Sequence, residues 1–157
     1  MFTQPLCPNI ADYTAFIYAQ PDITTNVLPT DSPWIQITYD VSLSIVALHL
    51  ARAPVVMPGP SLYVLAVYNL GMDRLVNFCP DQLGQSTFEK LRQKFELYSF
   101  KPGVIASTGD VSTSASYLNP EVMKNLSLLD LQTLKTPWGR TYMSLAQQYG
   151  GVIWALT

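Results

Sequence analysis

Apolar residues recur at helical intervals along most of this chain, and each run is bracketed by residues that start or stop a helix. Tyr13, Phe16 and Ile17 fall at i, i+3 and i+4, with Asn9 placed to cap them and Pro21-Asp22 to end them. Residues 61–78 run through Leu62, Tyr63, Val64, Leu65, Ala66, Val67 and Tyr68, apolar nearly all round. Such a helix belongs in the middle of a core or an interface. Cys79-Pro80-Asp81 closes it, and Ser86-Thr87-Phe88-Glu89 then has the form of a capping box. Phe88, Leu91 and Phe95 continue as the stripe of a third main helix. Asn119-Pro120 restarts helix, with Val122, Met123, Leu126 and Leu129 on one face. Thr136-Pro137 supplies an N-cap hydroxyl and a first-turn proline. Tyr142, Leu145 and Tyr149 follow as an apolar stripe, and Gly150 can take the left-handed conformation that ends it.

Two stretches break this regularity. Ile35, Ile37, Tyr39, Val41, Leu43 and Ile45 alternate with Gln, Thr, Asp, Ser and Ser, which is the pattern of a strand. Ile35, Tyr39, Leu43, Val46 and Leu50 also align on a helix. Length and the Ser32-Pro33 start signal decide for helix, because a strand through Leu50 would far exceed the common range. Residues 101–118 are small, hydroxyl-rich and almost uncharged. They read as a hairpin turned at Gly109-Asp110 or as a long loop, and in a helical protein such an insertion is usually functional or disordered. The expected fold is therefore mainly α. It is a helical bundle in one domain over 1–157, with an irregular segment at 1–30 and a helical core at 31–149. An extended or β-hairpin excursion interrupts the core at about 101–118, and an apolar tail follows at 150–157.

Composition sharpens the picture. Only 13% of the 157 residues are charged, about half the usual share. So sparsely charged a surface points to burial against other subunits or to a membrane. No segment offers eighteen uninterrupted apolar residues, and the N-terminus lacks the layout of a signal peptide, so assembly is favoured. A net charge of −2 argues against a nucleic-acid surface driven by bulk charge. Cys7 and Cys79 do not make a disulfide framework, and synthesis in the cytosol fits them best.

Catalytic chemistry finds little to use. His49 is the one histidine, in an apolar setting that suits a core or interface imidazole. With two distant cysteines it cannot complete a zinc set. Neither a nucleophile elbow, a phosphate loop nor a dinucleotide-binding glycine pattern is present. The carboxylates are scattered, several at helix starts (Asp81, Glu89, Glu121) where the dipole explains them. Lys90, Arg92, Lys94 and Lys101 concentrate basic charge, as a solvated face or as a contact to a neighbour's acids or to DNA in a lumen. No catalytic residue, metal or cofactor is expected.

Lys135-Thr136-Pro137-Trp138-Gly139-Arg140-Thr141-Tyr142, followed by Tyr149-Gly150-Gly151 and a short apolar tail, resembles the head-tail adaptor, or head-completion, proteins of tailed bacteriophages. Gly103–Tyr117 with Gly109-Asp110-Val111-Ser112 adds to the likeness, as does Pro58-Gly59-Pro60 leading into Leu65-Ala66-Val67-Tyr68-Asn69-Leu70. Together these span roughly residues 33–157. The resemblance implies a structural virion protein without enzyme activity. Its ring, commonly of twelve copies, would sit in the neck between capsid and tail after assembly in the host cytoplasm. Its partners would be the portal protein, other neck or tail proteins and itself, with DNA only as cargo in the channel and no membrane.

On that reading Val152, Ile153, Trp154 and Leu156 form a docking tail hinged at Gly150 and Gly151, with Trp154 as a buried anchor or the tail as an added strand. Gly109, Asp110 and Val111 are loop contacts, and Lys90, Lys94 and Arg140 are candidates for charge contacts between subunits. Trp154 packing on its own domain, Trp138 as a core residue and Arg140 bonding its own backbone are the plainer alternatives. The rival functions are another neck or tail-completion ring, a small helical hydrolase with an acidic pair, and a monomeric binding domain.

Overall fold

The computed structural model describes residues 7–46, 62–99, 104–108, 115–118 and 128–149. Among them it has six helices and one pair of strands: α1 (Ile10–Tyr18), α2 (Pro33–Ile45), α3 (Leu62–Phe78), α4 (Thr87–Lys94), β1 (Val104–Thr108), β2 (Ala115–Leu118), α5 (Leu128–Thr133) and α6 (Pro137–Tyr149). The mainly helical character expected from the sequence holds. No helix among the described residues is long and apolar enough to cross a membrane.

α3 is the axis of the fold. Residues Val64 and Ala66 to Val76 are buried, including Leu70, Met72, Leu75 and Val76 with no exposure at all. Each such side chain contributes roughly 1.5–3 kcal/mol of apolar burial, so α3 dominates the core. Helices α1, α2, α4 and α6 pack around it. Asn9 caps α1 by accepting from the Asp12 N–H at 2.8 Å, as its position suggested. Tyr68 in α3 holds the same end, its hydroxyl meeting the N–H and the carbonyl of Asn9, both at 3.2 Å. Gly71 lies where α1 crosses α3. A Cβ there would lie 2.7 Å from the Tyr13 hydroxyl, which bonds Thr38 of α2 at 3.0 Å.

α2 resolves its own ambiguity. It is a helix, and the alternation of its apolar residues spreads them round the cylinder. Ile35 and Tyr39 go into the core, while Ile37, Val41 and Ile45 are 47%, 40% and 44% exposed. The helix ends at Ile45 with Val46 as its cap, and residues 47–50 lie outside the described part. Ser32 occupies the N-cap position without a side-chain cap bond, so Pro33 alone carries the start signal.

The capping box expected at Ser86-Thr87-Phe88-Glu89 is not formed. Ser86 makes no side-chain cap bond. Asp81 takes its place, its two carboxylate oxygens accepting the Phe88 and Glu89 N–H groups at 2.8 Å each. Glu89 turns away to accept from Tyr98 at 2.6 Å and Gln93 at 2.9 Å. Replacing Asp81 with alanine should therefore cost about 1–2 kcal/mol, while Ser86→Ala should change stability by only a few tenths. Urea denaturation of both variants checks this, and the reverse order would restore the capping box.

β1 and β2 pair antiparallel, Val104 opposite Leu118 and Thr108 opposite Ala115, with an irregularity between Ile105 and Ser107. Their connection, with Gly109, Asp110 and Val111, lies outside the described residues. So do residues 119–127, where the sequence places the start of a helix after Asn119-Pro120, and the tail from Gly150 onward; α5 begins at Leu128.

Candidate functional site

The segment Lys135–Arg140 makes a rigid corner between α5 and α6. The Thr136 hydroxyl accepts the Gly139 N–H at 2.9 Å, the cap bond its sequence position suggested. It also donates to Asp73 Oδ1 at 2.5 Å, which locks the start of α6 onto α3. Gly139 admits no side chain, since a Cβ there would fall 1.8 Å from the carbonyl oxygen of Thr133. Gln132 adds a second tie, donating to the Asn77 side chain at 3.0 Å.

Asp73 sits at this junction with no exposure. Its Oδ2 is buried without a hydrogen-bond partner, and the guanidinium of Arg74 is 3.7 Å from it. Burial pushes the carboxyl up to about 6, against the pull of the Thr136 hydroxyl and the Arg74 charge. Arg74 itself is directed to Thr133 Oγ1 at 3.4 Å. A carboxylate buried in this corner with its pKa raised makes stability depend on pH.

Beside the corner lies an open groove of about 430 Å³ lined by Lys94, Phe95, Glu96, Ser99, Lys135 and Arg140. Lys135 donates to the backbone carbonyl of Glu96 at 2.8 Å and to that of Ser99, tying the end of α4 to the corner. Arg140 donates to the carbonyls of Leu134 and Lys135 at 3.3 and 3.2 Å, so its partners include its own backbone. Phe95 meets Trp138 edge-on at 5.8 Å between ring centroids, which makes Trp138 a packing residue. Glu96 has φ of 51°, the left-handed position that closes α4, where glycine is the usual occupant. The Leu97 N–H bonds Arg92 O at 2.9 Å in the matching closure.

The third feature is the outer face of α2. Ile37, Val41 and Ile45 stand one helical turn apart and are exposed. Asp40, bonded to Gln36 at 2.8 Å, is the only charged residue in the helix.

Of the site residues expected from sequence, Lys94 and Arg140 come together in the basic groove. Lys90 lines a neighbouring depression of about 290 Å³ with Asp22, Thr87, Leu91 and Lys94. Gly109, Asp110, Val111, Gly150, Gly151, Val152, Ile153, Trp154 and Leu156 lie outside the described residues. The sequence reading missed Lys135 as a groove residue, Asp73 as a buried junction and the exposed stripe of α2. The alternation at 35–45 was the signal for the last of these. Cys79 is buried and its thiol is raised to about 11, mainly by that burial, and Cys7 is exposed. Among the described residues no group of three His, Cys, Asp or Glu is placed to hold a metal ion. No protein-family model, curated protein or solved structure matches this chain.

Proposed function

We propose that the chain is a structural virion protein, a head-to-tail adaptor. A homo-oligomeric ring of it, twelvefold by the family resemblance, docks on a phage portal. The ring extends the DNA channel and presents a surface to the next tail component. The observation that carries the reading is the outer face of α2, where Ile37, Val41 and Ile45 are exposed on a helix with one charge. An apolar flank of that kind on a sparsely charged chain suits a subunit covered by a neighbour. The resemblance of Lys135–Tyr142 to the adaptors adds to it. In this reading the corner built from Thr136 and Gly139 aims α6, and the tail beyond it reaches the partner.

The hydrolase alternative needs two carboxylates facing one cleft, whereas each of the two depressions described offers one, Asp22 or Glu96. Another neck or tail-completion ring would use the same flank and differs only in its partner.

Sedimentation with portal rings of the same phage tests the reading, using the full chain and a chain ending at Tyr149. Capture of the full chain is expected, with at least about a hundredfold weaker capture of the truncated one if Trp154 is a buried anchor. Equal capture of both would move recognition to the helices or to the 101–118 region. An intact portal that captures neither would sink the adaptor reading.

A further inference from the structure

Charge is divided along this chain. Residues 1–51 carry Asp12, Asp22, Asp31 and Asp40 and no lysine or arginine, and all nine basic residues follow from Arg52 onward. The four aspartates are exposed in the structure, as are Lys90, Lys94 and Arg140.

Asp22 lies beside Lys90 and Lys94, but Asp40 stands apart from the cations of the α4–α6 groove, across α3. Tyr13 of α1 lies against Gly71 and bonds Thr38 of α2. Thr136, at the start of α6, bonds Asp73. Gly71 and Asp73 are two residues apart, about 200° round the helix, so the α1–α2 layer and the α5–α6 corner face away from each other. One flank thus presents the apolar stripe of α2 with Asp40. The other presents the groove lined by Lys94, Lys135 and Arg140 with Phe95, Ser99 and one acid, Glu96, so cations outnumber the carboxylate there.

We propose that the occupant of the α2 face is a second copy of this chain, seated head to tail. Asp40 of one copy meets the Lys94–Lys135–Arg140 groove of the next, and the Ile37–Val41–Ile45 stripe packs beside it. Two different, complementary surfaces on opposite flanks make the contact heterologous, so it repeats from copy to copy and closes into a ring when the rotation allows. Opposite charge sets the register and speeds encounter, and the stripe supplies apolar burial. A symmetric pairing of α2 with α2 would instead bring two Asp40 carboxylates toward each other. The inference deepens the ring reading and rests on it for closure, while the contact itself is tested without any portal.

The test is sedimentation of the isolated full chain over a concentration series, at about 0.05 M and about 0.5 M salt. Wild type should associate with concentration, and less so at high salt. Asp40→Lys and Lys94→Glu should each weaken association at least about tenfold, and Asp40→Asn and Lys94→Gln should weaken it less. An equimolar mixture of Asp40→Lys and Lys94→Glu should restore it, because each variant then offers the surface the other needs. Circular dichroism confirms that the variants fold, and both positions are exposed on helices. Wild type that stays monomeric in low salt, single variants that match wild type, or a mixture that fails to recover would each overturn the proposal. Association through these surfaces by a protein that no portal captures would sink the adaptor reading and keep this one.

Discussion

Gly139→Ala should destabilise the protein by about 4 kcal/mol or more, the range reserved for changes that a packed structure cannot absorb. The added methyl would fall 1.8 Å from the Thr133 carbonyl oxygen and 2.7 Å from its carbonyl carbon. Both are backbone, so relief requires α5 and α6 to separate. That movement breaks the Thr136 cap and its bond to Asp73. Gly71→Ala provides the contrast. There the methyl meets the ring of Tyr13, a side chain that can shift, and the cost should be about 1–3 kcal/mol. Urea midpoints of the two variants decide it. A Gly139→Ala protein as stable as wild type would mean that the corner is not built this tightly.

Asp73→Asn should act in the other direction. The folded carboxyl is raised to about 6 from an ordinary 3.8. The folded state therefore holds the proton more tightly than the unfolded state between those values. Stability is lowest above pH 6, rises as pH falls through 6, and gains nothing further from this group below about 4. Two pH units of displacement correspond to about 3 kcal/mol of penalty at pH 8, of which about 1 kcal/mol is recovered by pH 5. Asparagine keeps an oxygen for the Thr136 hydroxyl and carries no charge, so it should gain up to about 3 kcal/mol at pH 8 and little at pH 4. Glu89 works against Asp73 in the wild type. Hydrogen bonds from Tyr98 and Gln93 hold its carboxyl below the usual range, so its contribution is lost on acidification. The difference between wild type and Asp73→Asn across pH isolates Asp73. A difference independent of pH would mean that this carboxyl is not raised.

Sequence made the helices legible where the determining residues are neighbours. Asn9 and Thr136 cap the helices they precede, and the apolar run of α3 announced a buried axis. It failed where the partner is distant or the pattern has two meanings. The cap of α4 comes from Asp81, seven residues before the first N–H it accepts, and the local Ser86–Glu89 signal hid it. The alternation at 35–45 looked like a strand because half of its apolar residues are not core residues at all. Length gave the right element, but only the structure separates Ile35 and Tyr39 from the exposed Ile37, Val41 and Ile45.

The site followed the same rule. Lys94 and Arg140 could be picked out as cations, yet 46 positions separate them, and only the α5–α6 corner and Lys135 bring them into one groove. Nothing local distinguishes Asp73 from a solvated aspartate. Its burial follows from α3 being enclosed on every side, a property of the tertiary fold.

The ring proposal stands or falls on the mass of the complex formed when this protein is mixed with portal rings from the same phage, read by native mass spectrometry and electron microscopy. A closed ring seated on the portal is expected, with one copy for each portal subunit and head-to-tail contacts between α2 and the α4–α6 groove. A portal that binds no copies, or scattered copies with no contact between them, would contradict it.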